Sequence, residues 1–427
     1  MRCLIPSQTA LVLGGGGAKG AYEIGAIEAL ESLGVRAGSV YGTSVGALNA
    51  AMYAQGRMEQ AAALWAELKL EDLVTAESLA QAEQMENLFN QSDKLLEFLT
   101  RSLQQKPPDV TPYVRLLERY VDEDALRRSK IRFGLVATRL PTLSRVEKRI
   151  DEMEPGSVHS WLLASSAFFP VFPIASIGEE RYVDGGFADN VPVGMAIREG
   201  ARHIIALDIG KQRAHAQYER RPNITYIRAS HPLGGLLSFD PARFERNRAL
   251  GRNDTLRAFG DLRGVRYSFD AVSARSSMRR AESFLVDMTQ WDTLVASGRK
   301  GGEAPLFALL EEALPPAADA VDYLLRALEI CADAAQLDPV PVYTMETFAQ
   351  ALRGALPLDK ADAMLDSLPG GRIGVLFAPP QPDRRVVISC LYKLLQREKT
   401  FPPLAMRTLS AFPREMLCAL TLREILG

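Results

Sequence analysis

Short apolar runs that stop abruptly at glycine set the rhythm of the first half of the chain. Thr9–Leu13 is one such run; it ends in Gly14-Gly15-Gly16-Gly17 and reads as a buried strand followed by a tight backbone turn. Ile24, Ile27, Leu30 and Leu33 then recur at helical spacing over residues 21–33, and Gly34 stops the helix. Residues 39–41 read as a second strand and residues 45–53 as an alanine-rich helix. The opening is therefore strand, glycine loop, helix, strand, sharp turn, helix, which predicts parallel strands with helical crossovers.

Residues 58–128 look helical, with Thr111-Pro112 as a helix start. Residues 131–139 and 145–150 read as strands, and residues 157–167 as a helix stopped by Pro170. Tyr182-Val183 runs into the turn Asp184-Gly185-Gly186, Pro192 opens another helix, and residues 203–209 and 224–228 are β-branched strands. This alternation predicts an α/β fold. From about Phe239 strand signals thin out and helical patterns dominate. Gly301-Gly302 reads as a flexible joint and Pro379-Pro380-Gln381-Pro382 as a loop. The expected domains are residues 6–235 and a mainly helical C-terminal region, 236–427, whose role the sequence does not disclose.

Composition narrows the class. The chain has 427 residues, 47 % hydrophobic and 24 % charged, as in an ordinary globular protein. Its 50 basic and 52 acidic residues leave a formal charge of -2, so nucleic acid is not an expected partner. Cys3, Cys331, Cys390 and Cys418 are scattered with no metal-ligand spacing; no metal is expected, and a reducing cytoplasmic setting fits. The N-terminus is too short and polar before the first strand for a signal peptide. No run approaches the ~18 apolar residues of a membrane span. Any membrane contact is expected to be peripheral.

Gly42-Thr43-Ser44-Val45-Gly46 is a GxSxG pentapeptide between a strand and a helix. A serine nucleophile must project from a sharp strand-to-helix turn, and small residues two positions either side let the two elements approach. Taken alone, the pentapeptide also fits a plain glycine-rich turn. Gly15, Gly17 and Gly20 match the dinucleotide fingerprint, but no acidic residue lies between Val35 and Ser44 to hold a ribose. A phosphate loop would need Gly-Lys-Ser/Thr, whereas Ala18 precedes Lys19 and Gly20 follows it. An oxyanion hole is the remaining chemical reading: consecutive glycines leave backbone N–H groups free to aim at one oxygen. Lys19 either adds positive charge there or faces solvent.

For the base, the chain offers His159, His203, His215 and His231, of which only His231 follows a strand at the right end. Asp184 sits in a tight turn that permits close approach. Asp208, at another strand end, is the rival carboxylate, and the residues alone leave the choice open.

Taken jointly, these motifs resemble the patatin-like phospholipase family. The family's basic-tipped glycine loop is seen as Gly15-Gly16-Gly17-Ala18-Lys19-Gly20, its elbow as Gly42 to Gly46, and its Asp-Gly-Gly motif as Asp184-Gly185-Gly186. A serine-rich helix end running into proline, another family segment, looks like Ala164-Ser165-Ser166-Ala167-Phe168-Phe169-Pro170. Gly14 departs from the family, many members having an acidic residue there. The resemblance covers roughly residues 6–235, and Phe239-Asp240-Pro241 also looks like the segment after the catalytic domain in bacterial members. It implies a three-layer α/β/α sheet with largely parallel strands, and a Ser–Asp dyad without histidine: Ser44 as nucleophile, Asp184 as proton acceptor. It further implies oxyanion donors at Gly15, Gly16 and Gly17, no cofactor, and hydrolysis of lipid acyl esters.

Two softer features remain. Residues 84–103 carry Leu88, Phe89, Leu95, Leu96, Phe98 and Leu99 and read as a packed amphipathic helix or as a lid. Arg243, Arg246, Arg248, Arg252 and Arg257 form a basic run, either solvated or facing anionic head groups. A nucleotide-binding protein using residues 15–20, and a non-catalytic scaffold acting through the helical region, are the alternatives from other classes.

Overall fold

The computed structural model describes residues 4–75, 107–210, 215–297, 305–311, 314, 318–367, 383–397 and 412–426. The segment 84–103, read as a packed helix or a lid, the Gly301-Gly302 joint and the Pro379–382 loop lie outside these residues. The chain divides into two compact units, Met1–Ala258 and Phe259–Gly427.

The first unit is built on an eight-stranded sheet: β1 (Thr9–Leu13), β2 (Ser39–Thr43), β3 (Arg132–Leu140), β4 (Ser144–Arg149), β5 (Ala175–Ile177), β6 (Glu180–Asp184), β7 (His203–Asp208) and β8 (Ile224–Arg228). The order is β5-β6-β3-β2-β1-β7-β8, with β4 also on β3. The five strands β3-β2-β1-β7-β8 are parallel, while β4, β5 and β6 are antiparallel to their neighbours. Every residue of β1 and β2 is buried, as a parallel sheet covered on both faces demands.

The helices are α1 (Ala21–Ser32), α2 (Val45–Ala54), α3 (Met58–Glu67), α4 (Thr111–Tyr120), α5 (Glu123–Arg128), α6 (Val158–Ser165), α7 (Val193–Arg198), α8 (Ala216–Glu219) and α9 (Pro241–Ala258). Ala10 and Val12 of β1 share one core with Val193, Met195 and Ala196 of α7. Strand alternation turns Leu11 and Leu13 to the opposite face, where α2 and α6 pack.

One detail of register positions the site. β3 pairs with β4 over Gly134 to Arg139, with β2 over Arg132 to Val136, and with β6 over Ala137 to Leu140. Because β4 occupies one edge throughout the overlap, β2 and β6 must share the other. They meet there head to head: Thr43 pairs with Val136 and Asp184 with Ala137. The last residues of two oppositely running strands thus abut on adjacent residues of a third.

The unit runs past residue 235, the expected boundary, because α9 is locked onto α1. A Cβ on Gly25 would come 1.8 Å from the Arg248 carbonyl oxygen, and one on Gly251 would come 1.9 Å from that of Tyr22. Tyr22 also donates to Asp254 at 2.7 Å, and Arg248 pairs with Glu28 at 2.9 Å. Much of the basic run is therefore internal: Arg257 pairs with Asp254, and Arg246 donates to the Pro232 carbonyl.

The second unit contains α10 (Ala271–Ser276), α11 (Met278–Ser297), α12 (Pro305–Glu311), α13 (Ala320–Ala335), α14 (Met345–Ala355), α15 (Leu358–Ser367), α16 (Arg384–Arg397) and α17 (Pro413–Leu426). Phe284, Met288, Trp291, Leu324, Leu328 and Met416 lie in its core. It also holds a three-stranded sheet, β11-β10-β9, from β9 (Leu262–Arg263), β10 (Ser268–Asp270) and β11 (Val342–Tyr343). Fully buried Glu329 accepts N–H bonds from Val265, Arg266 and Tyr267 and holds the turn before β10. Cys331, Cys390 and Cys418 are free and buried. Among the described residues, no helix is long and apolar enough to cross a membrane, and no His/Cys/Asp/Glu group could hold a metal ion.

Candidate active site

Ser44 stands between β2 and α2 with φ 55° and ψ -126°, a left-handed strained backbone for a residue with a side chain. The glycines around it are required by contact. A Cβ on Gly42 would lie 2.2 Å from the Gly46 carbonyl oxygen, and one on Gly46 would lie 2.6 Å from that of Leu13. No larger residue fits where the strand turns back into its own helix.

Asp184 ends β6, so the head-to-head joint on β3 brings its carboxyl beside the Ser44 side chain, whose hydroxyl draws the carboxyl pKa down. Oδ1 accepts the Gly186 N–H at 2.7 Å. Gly185 is pressed against the joint, since a Cβ there would sit 2.2 Å from the Val136 carbonyl oxygen. Burial pushes the Asp184 carboxyl from the usual 3.8 up to about 6, against the pull of Ser44 and Gly186.

Both residues line a cavity of about 840 Å³ together with Gly15, Gly16, Gly17 and Lys19. Leu48, Trp65, Leu116, Phe172, Leu236 and Phe239 supply apolar wall. The glycine loop is pinned on each side. Gly15 donates its N–H to the Asn190 carbonyl at 3.0 Å, and the Asn190 side chain donates back to the Gly15 carbonyl at 3.1 Å. Ala18 donates to Leu236 and Lys19 to Gly16. Gly15, expected among the oxyanion donors, is thus already engaged. The amides of Gly16 and Gly17 make no hydrogen bond among the described residues. Lys19 does not face solvent: it is buried, with Nζ 3.5 Å from the Ile209 carbonyl. Gly20 lies against the Trp65 ring, where a Cβ would approach to 2.6 Å.

The rival groups are committed elsewhere. Asp208 reaches the cavity wall, but its Oδ1 accepts from Gly210 N–H and its Oδ2 from the Tyr226 hydroxyl, both at 2.9 Å. None of the four histidines lines the cavity. His159 bonds the Val121 carbonyl, and His203 begins β7 at the far end of the sheet. His215, read from sequence as solvated, is only 16 % exposed and lies 3.5 Å from Asp189. His231 is buried.

Sequence reasoning missed three contributors, Asn190, Trp65 and Tyr113, and met a fourth, Ser165, only as part of the serine-rich helix end, with no role assigned. Asn190 clasps the glycine loop; its signal was its place two residues before Pro192 and just beyond the Asp-Gly-Gly turn. Trp65 donates to Asn49, which in turn bonds the Gly20 carbonyl and buried Glu23. Tyr113, from a segment read only as helical, shares a 2.9 Å hydrogen bond with Ser166 inside the cavity. Ser165 bonds the Ser44 N–H at 2.9 Å.

A sequence profile described as "Patatin-like phospholipase" matches residues 11–197. Over 217 residues, 49 % of its length, the chain is 28 % identical to "Patatin-like phospholipase domain-containing protein 6" from Mus musculus, of which it covers 14 %. It is 25 % identical over 215 residues to "Lysophospholipase NTE1" from Debaryomyces hansenii, covering 49 % of this chain and 12 % of the relative. The chain thus spans a small part of these relatives. VipD from Legionella pneumophila aligns over 99 % of this chain and 92 % of its own at 15 % identity, with a TM-score of 0.35. Residues 11–197 thus match the patatin-like phospholipase family, and the Mus musculus relative that resembles them carries the same family name.

Proposed function

We propose that the chain hydrolyses acyl esters of lipids, with Ser44 as nucleophile and Asp184 as the base that takes its proton. The observation that carries this reading is the placement of Ser44 and Asp184 side by side in the wall of an apolar cavity. Ser44 Oγ bonds to the acyl carbonyl carbon as its proton passes to Asp184. The oxygen that becomes anionic takes hydrogen bonds from the Gly16 and Gly17 amides. The ester C–O bond then breaks, and the leaving alkoxide takes the proton from Asp184. Water next gives a proton to Asp184 and attacks acyl-Ser44, and release of the fatty acid returns that proton to Ser44. Every proton of the cycle passes through Asp184, and no metal or cofactor enters it. A carboxyl near 6 is a stronger base than an ordinary aspartate, yet about nine-tenths ionised at pH 7.

The apolar wall supports a fatty acyl chain as the bound portion. Phe187, 54 % exposed next to the Asp-Gly-Gly turn and stacked on the cavity residue Phe168, supports peripheral contact with a lipid surface. The fungal relative's name, lysophospholipase, makes a long-chain monoacyl phospholipid the first substrate to assay. The test is labelling by a fluorophosphonate ester, mapped to Ser44, alongside hydrolysis by Ser44→Ala. The substitution should lower the rate by about 10⁴ or more. A folded Ser44→Ala protein with more than a few per cent of wild-type activity would refute the assignment.

A further inference from the structure

β2 and β6 abut on β3 but form no ladder with each other. What holds the ends of both strands is a third segment. Ser165, the last residue of α6, is fully buried. Its hydroxyl accepts the Ser44 N–H at 2.9 Å and donates to the Val136 carbonyl at 2.6 Å. Two residues on, the Ala167 carbonyl accepts the Asp184 N–H at 2.9 Å. One short stretch therefore grips the main chain of both Ser44 and Asp184.

We propose that Ser165 is a positioning residue that sets the distance and aim of Ser44 toward Asp184, acting through the Ser44 N–H and touching no reacting atom. This rests on the Ser–Asp reading above. The need for such a residue follows from the strain at Ser44, since a left-handed side-chain-bearing residue persists only where its surroundings over-determine it. On the carbonyl side, α2 does this: the Ala47 and Leu48 amides donate to the Ser44 oxygen. On the amide side the Ser165 hydroxyl does it. Ser166 cannot take over, because its hydroxyl is turned into the cavity toward Tyr113. Without Ser165 the peptide between Thr43 and Ser44 is free to rotate, and Oγ swings with it.

The experiment compares Ser165→Ala with wild type in the full chain, on one soluble long-chain ester. kcat should fall by about 10- to 100-fold, the scale of a misplacement of roughly 1 Å at a reacting group, with KM within about threefold. The acid midpoint of kcat/KM should also move upward, because the pull of Ser44 that draws the Asp184 carboxyl down is weakened. A residue that merely supports the fold would not move that midpoint. An unchanged kcat, or a lowered kcat with an unmoved midpoint, overturns the proposal. If Ser165→Ala does not fold, Ser165→Cys, of similar size and a weak hydrogen-bonder, is expected to show the same pattern; a wild-type kcat there overturns the proposal too. Failure of both variants to fold also overturns it, by making Ser165 a support of the fold. A wild-type chain that neither hydrolyses esters nor labels at Ser44 counts against the Ser–Asp reading itself. An active wild type with indifferent Ser165 variants counts against this inference alone.

Discussion

Asp184→Asn should kill the activity and stabilise the protein. Burial raises the Asp184 carboxyl from 3.8 to about 6, so the folded state disfavours its charge. At about 1.4 kcal/mol per tenfold, that difference amounts to about 3 kcal/mol. The sign follows from the direction. A carboxyl that binds its proton more tightly when folded takes stability away as pH rises from 3.8 through 6, and the full loss is present at pH 7. Asparagine is neutral at every pH and nearly the same shape. Its oxygen can still accept from Gly186, and its amide can donate to Ser44. The variant should therefore melt higher than wild type at pH 7, by about 6 °C if each kcal/mol moves Tm by about 2 °C or more. The gap should close toward pH 4, where both side chains are neutral. Differential scanning calorimetry across pH 4–8, with ester hydrolysis on the same samples, makes the comparison. Equal melting temperatures at pH 7, or a gap that does not shrink on acidification, would show that Asp184 is not an uncompensated buried charge. Retained hydrolysis would remove it as the base.

Further outcomes are expected from the same geometry. The kcat/KM of wild type should fall about tenfold below a midpoint near pH 6 for each pH unit, and a midpoint near 4 would contradict the buried setting of Asp184. Glu23 is fully buried and pushed up to about 8, with Asn49 donating to Oε2 and no partner on Oε1. Wild type should thus lose stability between about pH 5 and pH 8, and Glu23→Gln should flatten that slope in thermal melts. Gly17→Ala faces both a φ of 55° and the Leu236 carbonyl oxygen 2.1 Å from the new methyl. Its kcat should fall by about 10²- to 10³-fold through loss of an oxyanion donor, with circular dichroism confirming the fold. Asp208→Asn and single His→Gln changes at 159, 203, 215 and 231 should stay within about tenfold of wild-type activity, the scale of ordinary packing effects. An inactive, folded variant among them would replace the dyad.

The parallel strands were legible because burial on both faces leaves unbroken apolar runs: β1, β7 and β8 stand out in the sequence near their structural bounds. β5 was not, since three residues with Ser176 exposed at the centre make no pattern. The strands of the second unit, two or three residues each, are too short to show alternation. The elbow was legible because backbone contact at Gly42 and Gly46 forbids larger residues. The choice between Asp184 and Asp208 was not, because both end a strand. What separates them is their partners, which come from Tyr226 and Gly210 on one side and from Ser44 on the other. The grip of Asn190 and Ser165 on the site depends on contacts across 175 and 121 residues of chain, and local pattern carries no trace of them.

The joint on β3 has a consequence for how the protein is made. Ser44 leaves the ribosome long before Asp184, and β3 emerges between them. A nascent chain that has reached only β3 carries the elbow without its base, so on the Ser–Asp reading it cannot yet attack a lipid. The base arrives in one step, when β6 docks end-on to β2, and the residues that pin the glycine loop, Asn190 and Leu236, follow it. The same logic runs backwards: a nick between β3 and β6 that lets β6 leave would disarm the nucleophile without touching it. On that reading hydrolysis waits for β6 to take its place in the sheet, and a chain without it carries an inert serine.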